Sequence, residues 1–142
     1  MKTEIVSHCT DTPPGMYVDA EMIRGWHLDR GWSDIGYAYV VLRDGTVELG
    51  RDLDGDGDVT DEVGAHVLGH NETSIGIVYV GGRGENGQPQ FNATPDQMFK
   101  LECLVAELEQ KFPGINVFGH CDFTDEKACP VFDVRAWRET FA

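Results

Sequence analysis

Apolar and polar positions along this chain predict short strands interleaved with helices. Residues 3–8 alternate weakly between polar and apolar side chains, which is typical of a strand. Residues 74–82 form a nearly continuous apolar run, so we predict a buried central strand there. Residues 115–120 predict another short strand. The first and last of these strands would carry His8 and His120 at their carboxyl ends.

A hairpin is the clearest local pattern in the sequence. Residues 37–49 contain two β-branched and aromatic runs that are separated by Asp44 and Gly45, a pair that favours a two-residue turn. We predict that Tyr37 opens the first strand of this hairpin.

Three segments carry helical signals. Asp19 is a suitable N-cap for an amphipathic helix that runs toward Gly31. Residues 94–97, Thr-Pro-Asp-Gln, supply an N-cap, a proline for the first turn and a glutamine able to close a capping box. The long helix that follows keeps an apolar stripe until Pro113. Asp133 is placed to cap a short C-terminal helix.

Length and composition favour one α/β domain. A chain of 142 residues is close to the commonest domain size, so we predict a single domain over residues 1–142 with a central mixed β-sheet flanked by helices. No run approaches the roughly 18 apolar residues that a membrane span requires. The formal net charge of -14 repels phosphate backbones and anionic lipid, so neither nucleic acid nor a membrane is an expected partner.

The cysteines and histidines suggest a metal site. The chain has four cysteines, at positions 9, 103, 121 and 129. Without a recognisable signal peptide, free thiols or metal ligation fit these cysteines better than a disulfide framework. Zinc takes neutral imidazole and thiolate ligands, and His8, His120 and Cys129 are a candidate set of three. The alternative is that His8 only ends a strand and Cys129 is a small buried residue.

The other histidines are weaker candidates for metal ligands. His27 lies in a predicted helix and is more typical of a packed or surface residue. His66 and His70 are four residues apart, but the nearby Gly64 and Gly69 oppose the regular helix that would align them as a metal pair.

Several long motifs, in order, resemble a known family. They are "VSHCT", "IRGWHLDRGWSDIGYAYVVLRDGTVELGRD", "VGAHVLGHNETSIGIVYVGG", "TPDQM" and "KACPVFDVRAW". Over nearly its whole length the chain resembles the small zinc-dependent N-acetylmuramoyl-L-alanine amidases of bacteriophages, within the superfamily of type 2 amidases and peptidoglycan recognition proteins. The resemblance implies a mixed sheet flanked by helices, with the metal in a surface groove.

The resemblance also assigns roles to particular residues. It places the zinc ligands of the family on His8, His120 and Cys129, its metal-side tyrosine on Tyr37 and its essential lysine on Lys127. It implies that Zn²⁺ activates water against the amide between N-acetylmuramic acid and L-alanine of peptidoglycan. Lys127 would stabilise the oxyanion, and Tyr37 would donate a hydrogen bond or assist proton transfer.

Two further residues fall in a loop that matches the family. We expect His66 and Asn71 to contact substrate or to support the site. The alternative for each is an ordinary role in stabilising the loop.

An acidic insertion departs from the coliphage members of the family. It resembles a calcium loop with aspartates at positions 1, 3 and 5 and Gly57 at position 6, but Val63 stands at position 12, where a bidentate acid is expected. The candidate Ca²⁺ ligands are Asp52, Asp54, Asp56, Asp58, Asp61 and Glu62. Either one of the last three closes an irregular oxygen cage, or the loop is solvated and binds no metal.

The resemblance implies a monomeric phage endolysin that acts on peptidoglycan. With no signal peptide, such an enzyme would stay in the host cytoplasm until a holin releases it to the periplasm, and with no separate wall-binding domain it would suit a thin Gram-negative wall. One alternative is a cytoplasmic recycling amidase acting on soluble anhydromuramyl peptides, but those enzymes usually carry Asp where Cys129 stands. Another is a noncatalytic peptidoglycan-binding protein, which typically lacks the cysteine ligand.

Overall fold

The computed structural model describes residues 1–141. In chain order its elements are β1 (Glu4–Cys9), α1 (Ala20–Asp29), β2 (Tyr39–Val41), β3 (Val47–Leu49), β4 (Ser74–Tyr79), α2 (Pro95–Lys111), β5 (Asn116–Gly119), a 3-10 turn (His120–Asp122) and α3 (Val134–Arg138). In this part of the chain, none of the helices has both the length and the apolar character that crossing a membrane requires.

The strands form one mixed sheet in the order β3-β2-β4-β1-β5. Strands β2, β4, β1 and β5 run parallel to one another, and β3 pairs antiparallel with β2. All six residues of β4 are buried, which confirms the predicted central strand. Because β1 and β5 are parallel neighbours, their carboxyl ends meet at the same edge of the sheet. This edge receives both His8 and His120.

Helices cover both faces of the sheet, as predicted. The buried side of α2, with Leu101, Val105 and Leu108, packs on the face that carries Ile5 and Ile77. The opposite face packs against α1 in a second cluster, whose members are Val18, Ala20, Ile23, Ile35, Val40, Val78 and Val80. The side chains of β4 therefore alternate between two cores, as expected for a central strand with helices on each side.

The helix ends follow the predicted capping residues. The Asp19 side chain accepts a hydrogen bond from the Met22 backbone N–H at the start of α1. The α2 capping box is complete, since Thr94 and Gln97 each accept a hydrogen bond from the other's backbone N–H. Asp133 caps α3 by accepting from the Ala136 backbone N–H. Local sequence chemistry thus determines where each helix begins.

The hairpin differs from its prediction in two details. The Leu42 backbone N–H donates to the Thr46 carbonyl at 2.8 Å, so three residues separate this pair and the predicted two-residue turn is wrong. Gly45, with φ of 89°, is the third of them, which is typical of a type I turn followed by a left-handed residue. The first strand begins at Tyr39, so Tyr37 precedes β2 instead of opening it.

Gln97 is a buried polar side chain that joins α2 to the sheet. It is 0% exposed, and its Nε2 donates to the carbonyls of Val41 and Val80 at 3.0 and 2.9 Å. Its Oε1 accepts from the Thr94 backbone N–H at 2.9 Å and from Arg43 Nη1 at 3.1 Å. Removing the amide would leave the Thr94 backbone N–H without its partner, and it would remove one of the two hydrogen bonds that each of the Val41 and Val80 carbonyls accepts.

We therefore expect Gln97→Ala to lower the free energy of unfolding by about 2–3 kcal/mol, because the substitution removes several buried hydrogen bonds that each contribute about 0.5–1.5 kcal/mol. Urea denaturation followed by circular dichroism measures the change. Gln110→Ala is the matched control, because Gln110 lies on the same helix and is exposed. Equal losses in the two variants would contradict the proposed role of the Gln97 amide.

Candidate metal centre

The adjoining ends of β1 and β5 bring His8 and His120 together. The centroids of the two imidazole rings lie 4.7 Å apart. Cys129 approaches them from the irregular segment that follows the 3-10 turn. One ligand atom from each of these three residues lies within 4.8 Å of the ligand atoms of the other two. The structure therefore brings together the three candidate ligands that the sequence suggested.

Backbone contacts hold Cys129 in place. The Cys121 backbone N–H donates to the Cys129 carbonyl at 2.8 Å, and the buried Tyr79 hydroxyl donates to the Pro130 carbonyl at 2.6 Å. The Cys9 backbone N–H donates to Cys129 Sγ at 3.0 Å. A donor at this distance favours negative charge on the sulfur, which is the form that binds metals.

Burial keeps both imidazoles neutral. It lowers the pKa of His8, which is 1% exposed, well below the ordinary value, and His66 and His120 lower it further. Burial, followed by the charge of Lys127, also lowers the pKa of His120. Neutral imidazole is the form of histidine that coordinates a metal.

The surroundings of Cys129 favour the thiol over the thiolate, in spite of the Cys9 backbone donor. The hydrogen bond with the Cys9 side chain and then burial raise the pKa of Cys129 above its ordinary value. A cation beside the sulfur would lower that pKa, so metal binding here is coupled to loss of the thiol proton.

His66 orients His8 through a directional hydrogen-bond chain. Ser74 Oγ donates to the His70 carbonyl at 2.7 Å, so it accepts from His66 Nε2, 3.0 Å away. His66 Nδ1 is then an acceptor, and His8 Nε2 donates to it at 2.8 Å. This assignment leaves the lone pair of His8 Nδ1 free for a metal. Burial, followed by nearby positive groups, lowers the pKa of His66 to about 3, so the His66 imidazole is neutral near pH 7.

Asn71 supports the loop that carries His66. Its Oδ1 accepts from the backbone N–H groups of His66 and Val67 at 2.9 and 3.0 Å. These contacts stabilise the loop itself, which is the alternative that the sequence left open for Asn71, and they help to position His66.

Tyr37 and Lys127 lie on the same groove as the three candidate ligands. The groove has a volume of about 560 Å³. The Tyr37 ring centroid is 5.0 Å from that of His8, and burial raises the pKa of its phenol, which remains a neutral donor. Lys127 is exposed on the groove wall. A hydrogen-bond donor and a positive charge thus flank the candidate metal ligands.

Three residues that line this groove, His27, Arg30 and Trp32, were not predicted from the sequence to belong to the site. His27 is packed, as one of its two interpretations held, and its Nδ1 accepts from the Gly36 backbone N–H at 2.8 Å. Burial and then the charges of Arg30 and Arg51 lower the pKa of His27 to about 4. Arg30 and Trp32 also line the groove, with the guanidinium 5.5 Å from the indole centroid. Their place in the longest matching motif was the only available signal.

The acidic loop, residues 52–62, lies outside the groove. Its acidic side chains form two adjoining clusters. Oxygens of Asp52, Asp54 and Glu62 lie within 4.8 Å of one another, and so do those of Asp54, Asp56 and Asp61. Asp58 belongs to neither cluster, because its carboxylate contacts Lys111 and the Thr60 hydroxyl.

Comparisons with known proteins agree with this geometry. The family model described as N-acetylmuramoyl-L-alanine amidase matches residues 3–132. The endolysin of Klebsiella phage KP32 is 43% identical over 137 residues, which cover 96% of this chain and 85% of that protein. The endolysin of Escherichia phage T7 is 41% identical over 135 residues, or 95% of this chain and 84% of that protein.

A solved structure shows the same fold. The endolysin N-acetylmuramoyl-L-alanine amidase LysCS from Clostridium intestinale URNW superposes with a TM-score of 0.74 and 30% identity. The match covers 91% of this chain and 74% of the LysCS chain.

Proposed function

This chain belongs to the N-acetylmuramoyl-L-alanine amidase family and is a phage endolysin amidase; from this premise we propose that His8, His120 and Cys129 hold its catalytic zinc. The observation that carries the proposal is the grouping of two imidazoles and one thiol within 4.8 Å. Two nitrogen ligands and one sulfur ligand are a donor set that zinc accepts, and with three protein ligands such a zinc would keep a place for water or substrate.

The chemistry of the site follows from this donor set. Zn²⁺ bound there supplies a Lewis acid that acidifies water and polarises an amide carbonyl. The Lys127 ammonium stabilises the negative charge that develops on the amide oxygen of the substrate. The neutral Tyr37 phenol donates a hydrogen bond to the reacting group, and His66 holds the ring of His8 in the orientation that exposes Nδ1.

Peptidoglycan is the substrate of this family, and the bond cleaved links N-acetylmuramic acid to L-alanine. We propose that the enzyme is a monomer that binds neither nucleic acid nor membrane. We also propose that it reaches the thin wall of a Gram-negative host from the cytoplasm after holin-dependent release. Relatives from phages of Klebsiella and Escherichia support this host class. Cys129, next to both histidines, disfavours a recycling amidase and a noncatalytic binding protein.

Digestion of purified Gram-negative sacculi tests the proposed reaction. Mass spectrometry should find stem peptides with a free L-alanine amino group and glycan strands that keep their lactyl groups. Zinc content is determined on the same sample, and chelator-treated enzyme serves as the control. Cleaved glycan strands, or activity that survives complete removal of zinc, would contradict the proposal.

The His66 contact makes a separate prediction. We expect His66→Ala to weaken zinc binding by about 10–100-fold, the usual effect of losing a residue that orients a metal ligand. Competition with a chelator measures the affinity, and circular dichroism checks the fold. His70→Ala is the matched control, because the His70 side chain contacts Glu4 instead of a metal ligand. Unchanged zinc affinity in His66→Ala would contradict the orienting role and leave substrate contact or loop stabilisation for His66.

A further inference from the structure

The acidic loop between β3 and the His66 segment concentrates negative charge at one place. The two acidic clusters of this loop share Asp54 and therefore adjoin each other. Glu62 folds back across the loop, since its Oε1 accepts from the Leu53 backbone N–H at 2.9 Å. Glu62, at position 11, thus brings an acid to Asp52 and Asp54, although the sequence pattern expects that acid at position 12.

An unpaired buried oxygen points to a ligand in this loop. Asp52 Oδ2 accepts from the Gly57 backbone N–H at 2.8 Å, but Asp52 Oδ1 is buried without any hydrogen-bond partner. Within residues 1–141, Ser7 Oγ is the other such side-chain oxygen, and it lies in the strand β1. A buried carboxylate oxygen without a donor is costly, and a cation would compensate it.

Nearby basic side chains bind other groups. Lys111 Nζ contacts Asp58 and the Thr60 hydroxyl, and Lys2 Nζ donates to the backbone carbonyls of Glu62 and Glu72. Arg51 also donates to backbone carbonyls. Across the described residues, no ammonium or guanidinium forms an ion pair with a carboxylate of the two acidic clusters.

We propose that this loop binds one Ca²⁺ ion through the carboxylates of Asp52, Asp54, Asp56 and Glu62, with Asp61 at its edge. Calcium takes six to eight oxygen ligands in a flexible geometry, and aspartates at positions 1, 3 and 5 suit it. Zinc prefers the nitrogen and sulfur atoms found in the groove, and magnesium demands a stricter octahedron.

The loop is connected to the groove through its carboxyl end. Lys2 holds the Glu62 carbonyl at 2.7 Å, Arg51 Nη1 holds the Val63 carbonyl at 2.8 Å, and the Ala65 backbone N–H donates to the Gly36 carbonyl at 3.1 Å. The next residue is His66, which orients His8. An ion in the loop would therefore stabilise the segment that leads to His66.

Calorimetric titration of the zinc-loaded protein with CaCl₂ tests the proposal. One Ca²⁺ should bind per chain with a dissociation constant of about 1 mM or lower, and the melting temperature should rise because the ion binds the folded loop. Asp54→Asn should weaken this binding by about tenfold or more, since Asp54 belongs to both acidic clusters.

Two controls separate a specific site from general screening of charge. Asp58→Asn should keep Ca²⁺ binding, because the Asp58 carboxylate contacts Lys111 instead of the cage. MgCl₂ at equal concentration should produce a smaller rise in melting temperature. The proposal is overturned if about 5 mM Ca²⁺ gives neither heat nor a thermal shift, if Mg²⁺ matches Ca²⁺, or if Asp54→Asn binds as the parent does. None of these readouts depends on amidase activity.

Discussion

Replacing Cys129 with serine is expected to remove zinc and amidase activity together. A serine hydroxyl stays protonated near neutral pH, so it offers zinc neither the charge nor the soft sulfur of a thiolate. Because loss of a residue that only orients a ligand costs about 10–100-fold in metal affinity, loss of the ligand itself should cost more than about 100-fold. The small change in size should leave the fold intact.

Zinc content of dialysed protein and the rate of sacculus digestion measure the two losses. Cys103→Ser is the matched control, because Cys103 is an exposed free cysteine on α2. A Cys129→Ser protein that keeps one zinc per chain and the full digestion rate would remove Cys129 from the ligand set.

Lys127→Ala is expected to keep zinc and the fold but to lose on the order of a hundredfold or more in turnover. This is the usual size of a group that stabilises an oxyanion. A charged ammonium has no lone pair to offer a metal, so zinc affinity should not fall. Burial and then the charge of Lys127 lower the pKa of His120, and removing that charge brings the pKa closer to its ordinary value.

Turnover and zinc affinity must be measured on the same preparation, because only a role in the transition state predicts that turnover falls alone. Lys100→Ala is the control, since Lys100 is an exposed lysine on α2. Loss of zinc in Lys127→Ala would indicate a role in holding the site together. Near-normal turnover would place Lys127 on the surface with no part in the reaction.

Local patterns were sufficient for the helix starts and the central strand of the fold. The N-caps at Asp19, Thr94 and Asp133 and the buried central strand follow from interactions between residues a few positions apart. Such interactions leave a readable period or a capping motif in the sequence. The family motifs then supplied the fold class and the activity, and the comparisons bear out both.

Contacts between distant positions needed the folded chain. Cys9 and Cys129 are 120 positions apart, and the His66 contact with His8 spans 58, so no local pattern reports either distance. The same holds for the direction of the hydrogen bonds through Ser74, for the three-residue hairpin loop and for the contact of Glu62 with the Leu53 backbone. Each depends on which polar groups face each other in the folded chain. Sequence periodicity records which side of an element is buried. Only tertiary packing determines which atoms meet there.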